Sequence, residues 1–187
     1  MESITDLSIQ SKRSLKSYRQ TLLELVLFAM FGALMFCSKL LMEAFPNIHL
    51  LGMFTMMLTV VFRVKALIPI YIYIMLNGLY AGFDMWWFPY LYIWTILWGM
   101  TMLIPKNISP KVACIVYPAV CALHGFAFGA LYAPAQAVIF GFNFNQTLAW
   151  IATGIPFDII HGVSNIFTGL LIYPFSELVK KLLKKHR

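Results

Sequence analysis

Asp158, His161 and Asn165 follow one another at spacings of three and four residues inside an otherwise apolar stretch, Gln146 to Pro174. On a helix turning 100° per residue, these side chains lie within about 60° of one another. Gly154, Gly162 and Gly169 share their stripe, and the opposite face is Ile, Phe, Leu and Val. About 20 apolar residues suffice to cross a bilayer. Ionisable residues at membrane depth are costly and face a bundle interior or a water-filled cavity. A carboxylate and an imidazole one turn apart can pair there and mark a substrate or proton path. His124 lies in another apolar stretch. It has an ordinary role open to it, satisfying a carbonyl between helices, and a binding role beside it.

The other residues able to do chemistry sit nearer the ends of apolar stretches. Lys39 and Glu43 are four apart and either neutralise each other at the membrane surface or face a ligand. Asp84 fits a turn or a helix cap as well as a polar contact. Trp86, Trp87 and Tyr90 suit an interfacial aromatic belt or a stacking surface for a flat solute. Tyr132, Gln136, Asn143 and Asn145 complete the set.

Composition says what must hold these residues. Of 187 residues, 61% are hydrophobic and 11% charged, with mean hydropathy +0.80. A soluble domain has about 25% charged residues, so the chain reads as an integral membrane protein in a lipid bilayer. Its length allows one membrane domain and no soluble module. The net charge of +7 resides in tails and short loops, which points to membrane orientation rather than nucleic acid. Cys37, Cys114 and Cys121 all lie in apolar stretches, and no C-x-x-C spacing occurs. Neither a disulfide framework nor a zinc knuckle is expected.

The expected organisation is an all-α bundle of six transmembrane helices. A tail at 1–20 carries Lys12, Arg13, Lys16 and Arg19, the membrane domain covers 21–176, and a basic tail covers 177–187. The spans run about Thr21–Phe45, Ile48–Phe62, Ala66–Gly82, Trp86–Ile104, Val112–Tyr132 and Gln146–Pro174. A loop with Pro134, Gln136, Asn143 and Asn145 precedes the last. Span two is short, and a partly re-entrant path is its alternative. The first span lacks a cleavage signal after it and is expected to remain as an anchor. The tails and the loops holding Arg63/Lys65 and Lys106/Lys111 carry 13 of the 14 Lys and Arg residues; Lys39 is the remaining one. The positive-inside rule then puts both termini in the cytoplasm. Lys39, Glu43, His49, Asp84, Trp87, Tyr90, Tyr132, Gln136 and Asn143 fall on the outward half, with His124, Asp158 and His161 near mid-depth and Asn165 deeper. Such a cluster suits a small, flat, polar nutrient.

Phosphate-loop, H-E-x-x-H and G-x-S-x-G signatures are all missing from the sequence, which excludes the commonest ATPase and hydrolase chemistries. No cofactor is expected. No inverted repeat is apparent, unlike an ordinary secondary transporter. A binding subunit that takes its energy from partners is consistent with these features.

Three features now converge. They are six short spans with basic ends, Ala29-x-x-x-Ala33 with Gly32 in span one, and Pro156-x-Asp158-x-x-His161-x-x-x-Asn165 in the last span. Together, over about residues 21–180, they resemble the substrate-binding S component of an energy-coupling factor (ECF) transporter. The resemblance implies a prokaryotic plasma-membrane subunit of an ABC importer, not itself an enzyme. It would capture a vitamin or related micronutrient from outside and work with a transmembrane T component and two cytoplasmic ATPase subunits. Ala29, Gly32 and Ala33, read as one small-residue face, would couple to the T component. Asp158, His161 and Asn165 would meet substrate. His161 stands where the family pattern often has lysine, so a fixed positive charge is not implied. Nickel and cobalt members carry an N-terminal histidine segment; this sequence opens Met1-Glu2-Ser3-Ile4, so metal uptake is not expected. A carboxylate-bearing or heterocyclic vitamin precursor is the substrate class favoured. Two other readings stand beside it. One is a membrane scaffold resembling the rod-shape determinant subunit. The other is an intramembrane metal-dependent enzyme using His124, Asp158 and His161.

Overall fold

A computed structural model describes residues 4–185; within that range, the side chains of residues 4–17 and 19 are not described. The basic side chains expected in the N-terminal tail, Lys12, Arg13, Lys16 and Arg19, therefore lie outside the described set, as do Met1–Ser3 and the last two residues of the basic C-terminal tail. The described residues form helices and no strand: α1 (Ile4–Leu41), α2 (Leu51–Phe62), a 3₁₀ turn (Arg63–Ala66), α3 (Leu67–Ala81), α4 (Phe88–Met102), α5 (Pro110–Phe126), α6 (Phe128–Phe140), α7 (Phe144–Gly169) and α8 (Ile172–Lys185). The expected division between tail and first span is not a break, because α1 is continuous across it.

Three helical stretches are long and apolar enough to cross a membrane: Gln20–Leu41, Leu51–Ala81 and Pro110–Phe140. α7 and α8, bent by 44° where they meet, make a fourth if taken as one span. These are the dimensions of a multi-pass membrane protein. Among the described residues, six helices of full membrane length are not present. α2 has 12 residues, a length of about 18 Å against a hydrocarbon core of about 30 Å.

Side-chain contacts give the direction of each segment. Glu24 of α1 pairs with Lys65 at 2.7 Å. A Cβ at Gly32 would strike Ile72, and Phe36 meets Tyr80, so α1 and α3 run parallel. α4 runs against α3, because Tyr71 donates to the Leu91 carbonyl while Trp87 Nε1 donates to that of Ile74. α2 runs with α4: His49 lies beside Trp94, and Trp98 Nε1 donates to the Arg63 carbonyl. The chain therefore folds back on itself at Arg63, within the Leu51–Ala81 stretch, where the backbone has φ 55°. α5 and α6 together run against both α4 and α7. Pro118 meets Gly169, Cys121 meets Asn165, Gly125 meets Gly162 and Gly129 meets Asp158 in steady register along α7.

The core lies where α2, α3 and α4 meet, around Met53, Met56, Leu58, Ile70, Tyr73, Ile74, Trp94 and Leu97, all essentially inaccessible. The outer surface is also apolar: Leu22, Val26, Met30 and Leu34 of α1, and Ile155, Ile159 and Val163 of α7, are exposed. In water a patch of this kind would mark an interaction site; against lipid chains it is the ordinary surface of a membrane bundle. Two boundaries differ from the sequence expectation. Pro134 and Gln136 lie inside α6 rather than in a loop. The true connection is the turn at Gly141, whose φ of 67° is left-handed, followed by Phe142 and Asn143.

Candidate functional site

The interior holds a cluster of rings drawn from six segments. His49, from the connection before α2, meets His161 of α7 at a ring-centroid distance of 4.5 Å. His161 also meets Phe128 of α6 at 4.8 Å. Trp94 of α4 lies 5.9 Å from His49, 5.8 Å from His124 and 6.2 Å from Tyr73 of α3. Tyr90 extends the cluster along α4 towards Trp86, and Tyr132 extends it along α6 to stack on Trp150. Trp94, His124 and His161 are 1%, 1% and 3% exposed.

A contact between residues distant in sequence holds His49 at this depth. The expected position of His49 is the outward surface. Instead the 42–50 connection turns inward, and the Asn47 carbonyl accepts a hydrogen bond from Ser164 Oγ of α7 at 3.2 Å. Asn47 has φ 61°, a left-handed conformation that asparagine tolerates better than most residues. This dip takes up depth that a full helix would fill, which is why α2 is short.

Several buried polar atoms in and beside the cluster have no hydrogen-bond partner among the described residues. They include His49 Nδ1, His124 Nδ1, His161 Nε2, Trp94 Nε1 and Tyr73 Oη. One turn beyond Tyr73, both amide atoms of Asn77 are in the same state. Buried polar groups are paired in the great majority of cases, and each exception calls for a reason. His124 Nε2 donates to the Ile93 carbonyl at 3.1 Å, which leaves Nδ1 as the free acceptor. His124 thus performs the ordinary interhelical role and keeps one nitrogen available.

The expected Asp158–His161 pair does not form. Asp158 Oδ1 instead accepts the Gly129 amide at 2.9 Å. The physical cause is the interruption between α5 and α6 at Ala127. A helix start leaves its first amides without intrahelical acceptors, and Asp158 satisfies one of them. A Cβ at Gly129 would lie 2.5 Å from Asp158 Oδ2, so a residue without one is needed for the carboxyl to approach. Asn165 Nδ2 donates to the Cys121 carbonyl at 3.1 Å, tying α7 to α5.

The remaining expected site residues are dispersed. Lys39 and Glu43 pair with each other at 3.3 Å at the end of α1. Asp84 Oδ1 accepts from the Met85 amide in an exposed turn. Trp87 faces α3 and Phe83 rather than the ring cluster. Tyr132 donates to the Trp86 carbonyl, with Gln136 near its hydroxyl. Asn143 is exposed and forms a reciprocal capping box with Gln146 at the start of α7. Among the proposed coupling residues, Gly32 is buried against Pro69 and Ile72 of α3 while Ala29 and Ala33 are exposed, so the three do not share one face.

Sequence reasoning missed Tyr73, Asn77, Trp94 and Phe128 and gave His49 the wrong depth. Tyr73 and Asn77 carried a usable signal, two polar side chains four apart on an apolar helix. Trp94 and Phe128 carried none that separates them from other buried aromatics. Among the described residues, no group of three or more His, Cys, Asp and Glu side chains is arranged to hold a metal ion. Comparisons with protein-family models, curated proteins and solved structures find no match.

Proposed function

We propose that this chain is a solute-binding membrane subunit of the energy-coupling factor type, with six crossings, both termini cytoplasmic and its buried ring cluster as the solute site. It would capture a vitamin-like micronutrient at the plasma membrane of a prokaryote and pass it on through a T component and two ATPase subunits. The observation that carries this reading is the buried ring cluster with its unpartnered nitrogens and phenol. Such groups at membrane depth mark binding sites and transport paths. The alternation of segment directions and the basic residues at every second turn support the crossings and their orientation. The exposure of Ala29 and Ala33 on α1 leaves both free for close contact with a partner helix.

The cluster also narrows the ligand. Its rings include no carboxylate, lysine or arginine, and Lys39 is engaged by Glu43 at the end of α1. Flat aromatic faces with a few hydrogen-bonding edges suit a heterocycle better than a carboxylate. The test is native mass spectrometry of the full chain purified in mild detergent, followed by thermal shift against heterocyclic vitamins and their precursors. A co-purified heterocycle lost in His161→Ala, with the fold retained, is the expected result. A wild-type chain that carries none and is stabilised by none would overturn the reading.

A further inference from the structure

At the opposite end of the bundle, α2, α4, α5 and α8 converge on a cavity of about 240 Å³, many times the room one water requires. Its lining includes Arg63, Lys106 and Lys180, with Thr101 and Tyr117 beside them and no carboxylate. We infer that this cavity is a phosphate-binding site, taking the phosphate of an acidic lipid headgroup or of a free phosphate-bearing solute.

The first argument is charge. Three cations share one small space, and like charges held together are unfavourable unless an anion joins them. One of the three, Lys180, already has an acidic partner, Glu177 at 2.9 Å, as Lys65 nearby has Glu24. Among the described residues Arg63 and Lys106 form no ion pair. The lining thus keeps a net positive charge even with Glu177 counted.

Arg63 gives the second argument. It occupies the chain reversal at φ 55°, a conformation that favours glycine and is rare for a long side chain. Strained positions of this kind persist where the surroundings hold them, and they gather at functional sites. Its Nη2 donates to the Met102 carbonyl at 2.8 Å, closing the end of α4. Its Nε is buried and has no partner among the described residues. The guanidinium is therefore fixed by one bond and still has donors to offer, as bidentate phosphate recognition requires. Thr101 is not a competing donor, because its hydroxyl already serves the Leu97 carbonyl.

The third argument is position. The cavity lies at the basic end, beside α8, which carries Lys181, Lys184 and Lys185 as well as Lys180. Basic pockets between helices at that end of a membrane protein match acidic headgroups.

The test uses the full-length chain in mild detergent. Thermal unfolding is followed with phosphatidic acid, with diacylglycerol of the same acyl chains, and with inorganic phosphate against chloride at equal ionic strength. Stabilisation by phosphatidic acid but not by diacylglycerol supports the site. An added response to inorganic phosphate means the phosphate group suffices; a response to inorganic phosphate alone points to a free solute. Equal effects of the two lipids with no response to phosphate would overturn the proposal. Lys106→Gln with Lys180→Gln removes two cations at the cavity's edge and leaves the Arg63 bond intact. It should weaken phosphatidic acid binding about 25-fold, about fivefold per lysine, and Lys106→Arg with Lys180→Arg should retain it. Binding within twofold of wild type in the double glutamine variant refutes the assignment.

Discussion

Replacing Asp158 by alanine removes the oxygen that accepts the Gly129 amide where α6 begins. That amide then has no intrahelical acceptor and no water at membrane depth to replace the one lost. A hydrogen bond of this kind is worth roughly 1–3 kcal/mol, the range from a neutral to a charge-assisted pair. In a chain of this size that corresponds to a fall of roughly 2–12 °C in unfolding midpoint. Asp158→Asn keeps an amide oxygen in the same place and should recover most of the loss. The pair of variants separates two roles for this residue. If Asp158 acts as a helix-start acceptor, alanine destabilises, asparagine does not, and solute binding follows stability. If it acts on solute, asparagine abolishes binding at an unchanged midpoint. Midpoints come from tryptophan fluorescence in detergent, with binding followed on the same samples. An Asp158→Ala protein that unfolds with wild type, or an asparagine variant as weak as the alanine one, would refute the structural role.

Gly125→Ala should destabilise, because the added Cβ meets the Gly162 backbone at 2.9 Å where α5 and α7 cross; Gly154→Ala has nothing within 4 Å and should gain about 0.5–1 kcal/mol from helix propensity. Equal unfolding midpoints for the two would dismiss the close crossing. Gly32→Val should loosen α1 from α3, since its Cβ would lie 2.5 Å from Ile72 Cγ2, and faster cross-linker capture or proteolysis near α1 would report it. Leucine at both Ala29 and Ala33 should leave the midpoint unchanged, because both are exposed, while abolishing uptake and assembly with partner subunits in pull-downs. Intact assembly would remove these residues from the coupling surface.

The helical class and most segment positions were legible because apolar runs and punctuation suffice for them. Arg63/Lys65, Asp84 and Pro105 mark real interruptions, and each falls between described helices. Pro134 misled, since a proline within a helix reads locally as a stop, yet α6 continues to Phe140. The inward path of the 42–50 connection was not legible. It depends on Asn47 meeting Ser164, two residues far apart in sequence whose types are unremarkable singly. The face of Gly32 was misread for a related reason. Small-residue spacing shows where helices can approach, and only the position of α3 decides which side is taken.

Asp158 shows how the site itself was misjudged. Its spacing from His161 is right for a pair, and at membrane depth a carboxylate next to an imidazole is a natural partner for it. A second acceptor-hungry group altered the outcome. The interruption at Ala127 bares an amide on α6, and the carboxyl turns to it. His161 is left with rings for neighbours, His49 and Phe128. The consequence is chemical. A proton or cation path along this face would need a carboxyl directed into the cluster, and Asp158 is directed at a backbone amide instead. What remains facing the rings is imidazole, indole and phenol, groups that recognise the edges and faces of a flat solute rather than its charge.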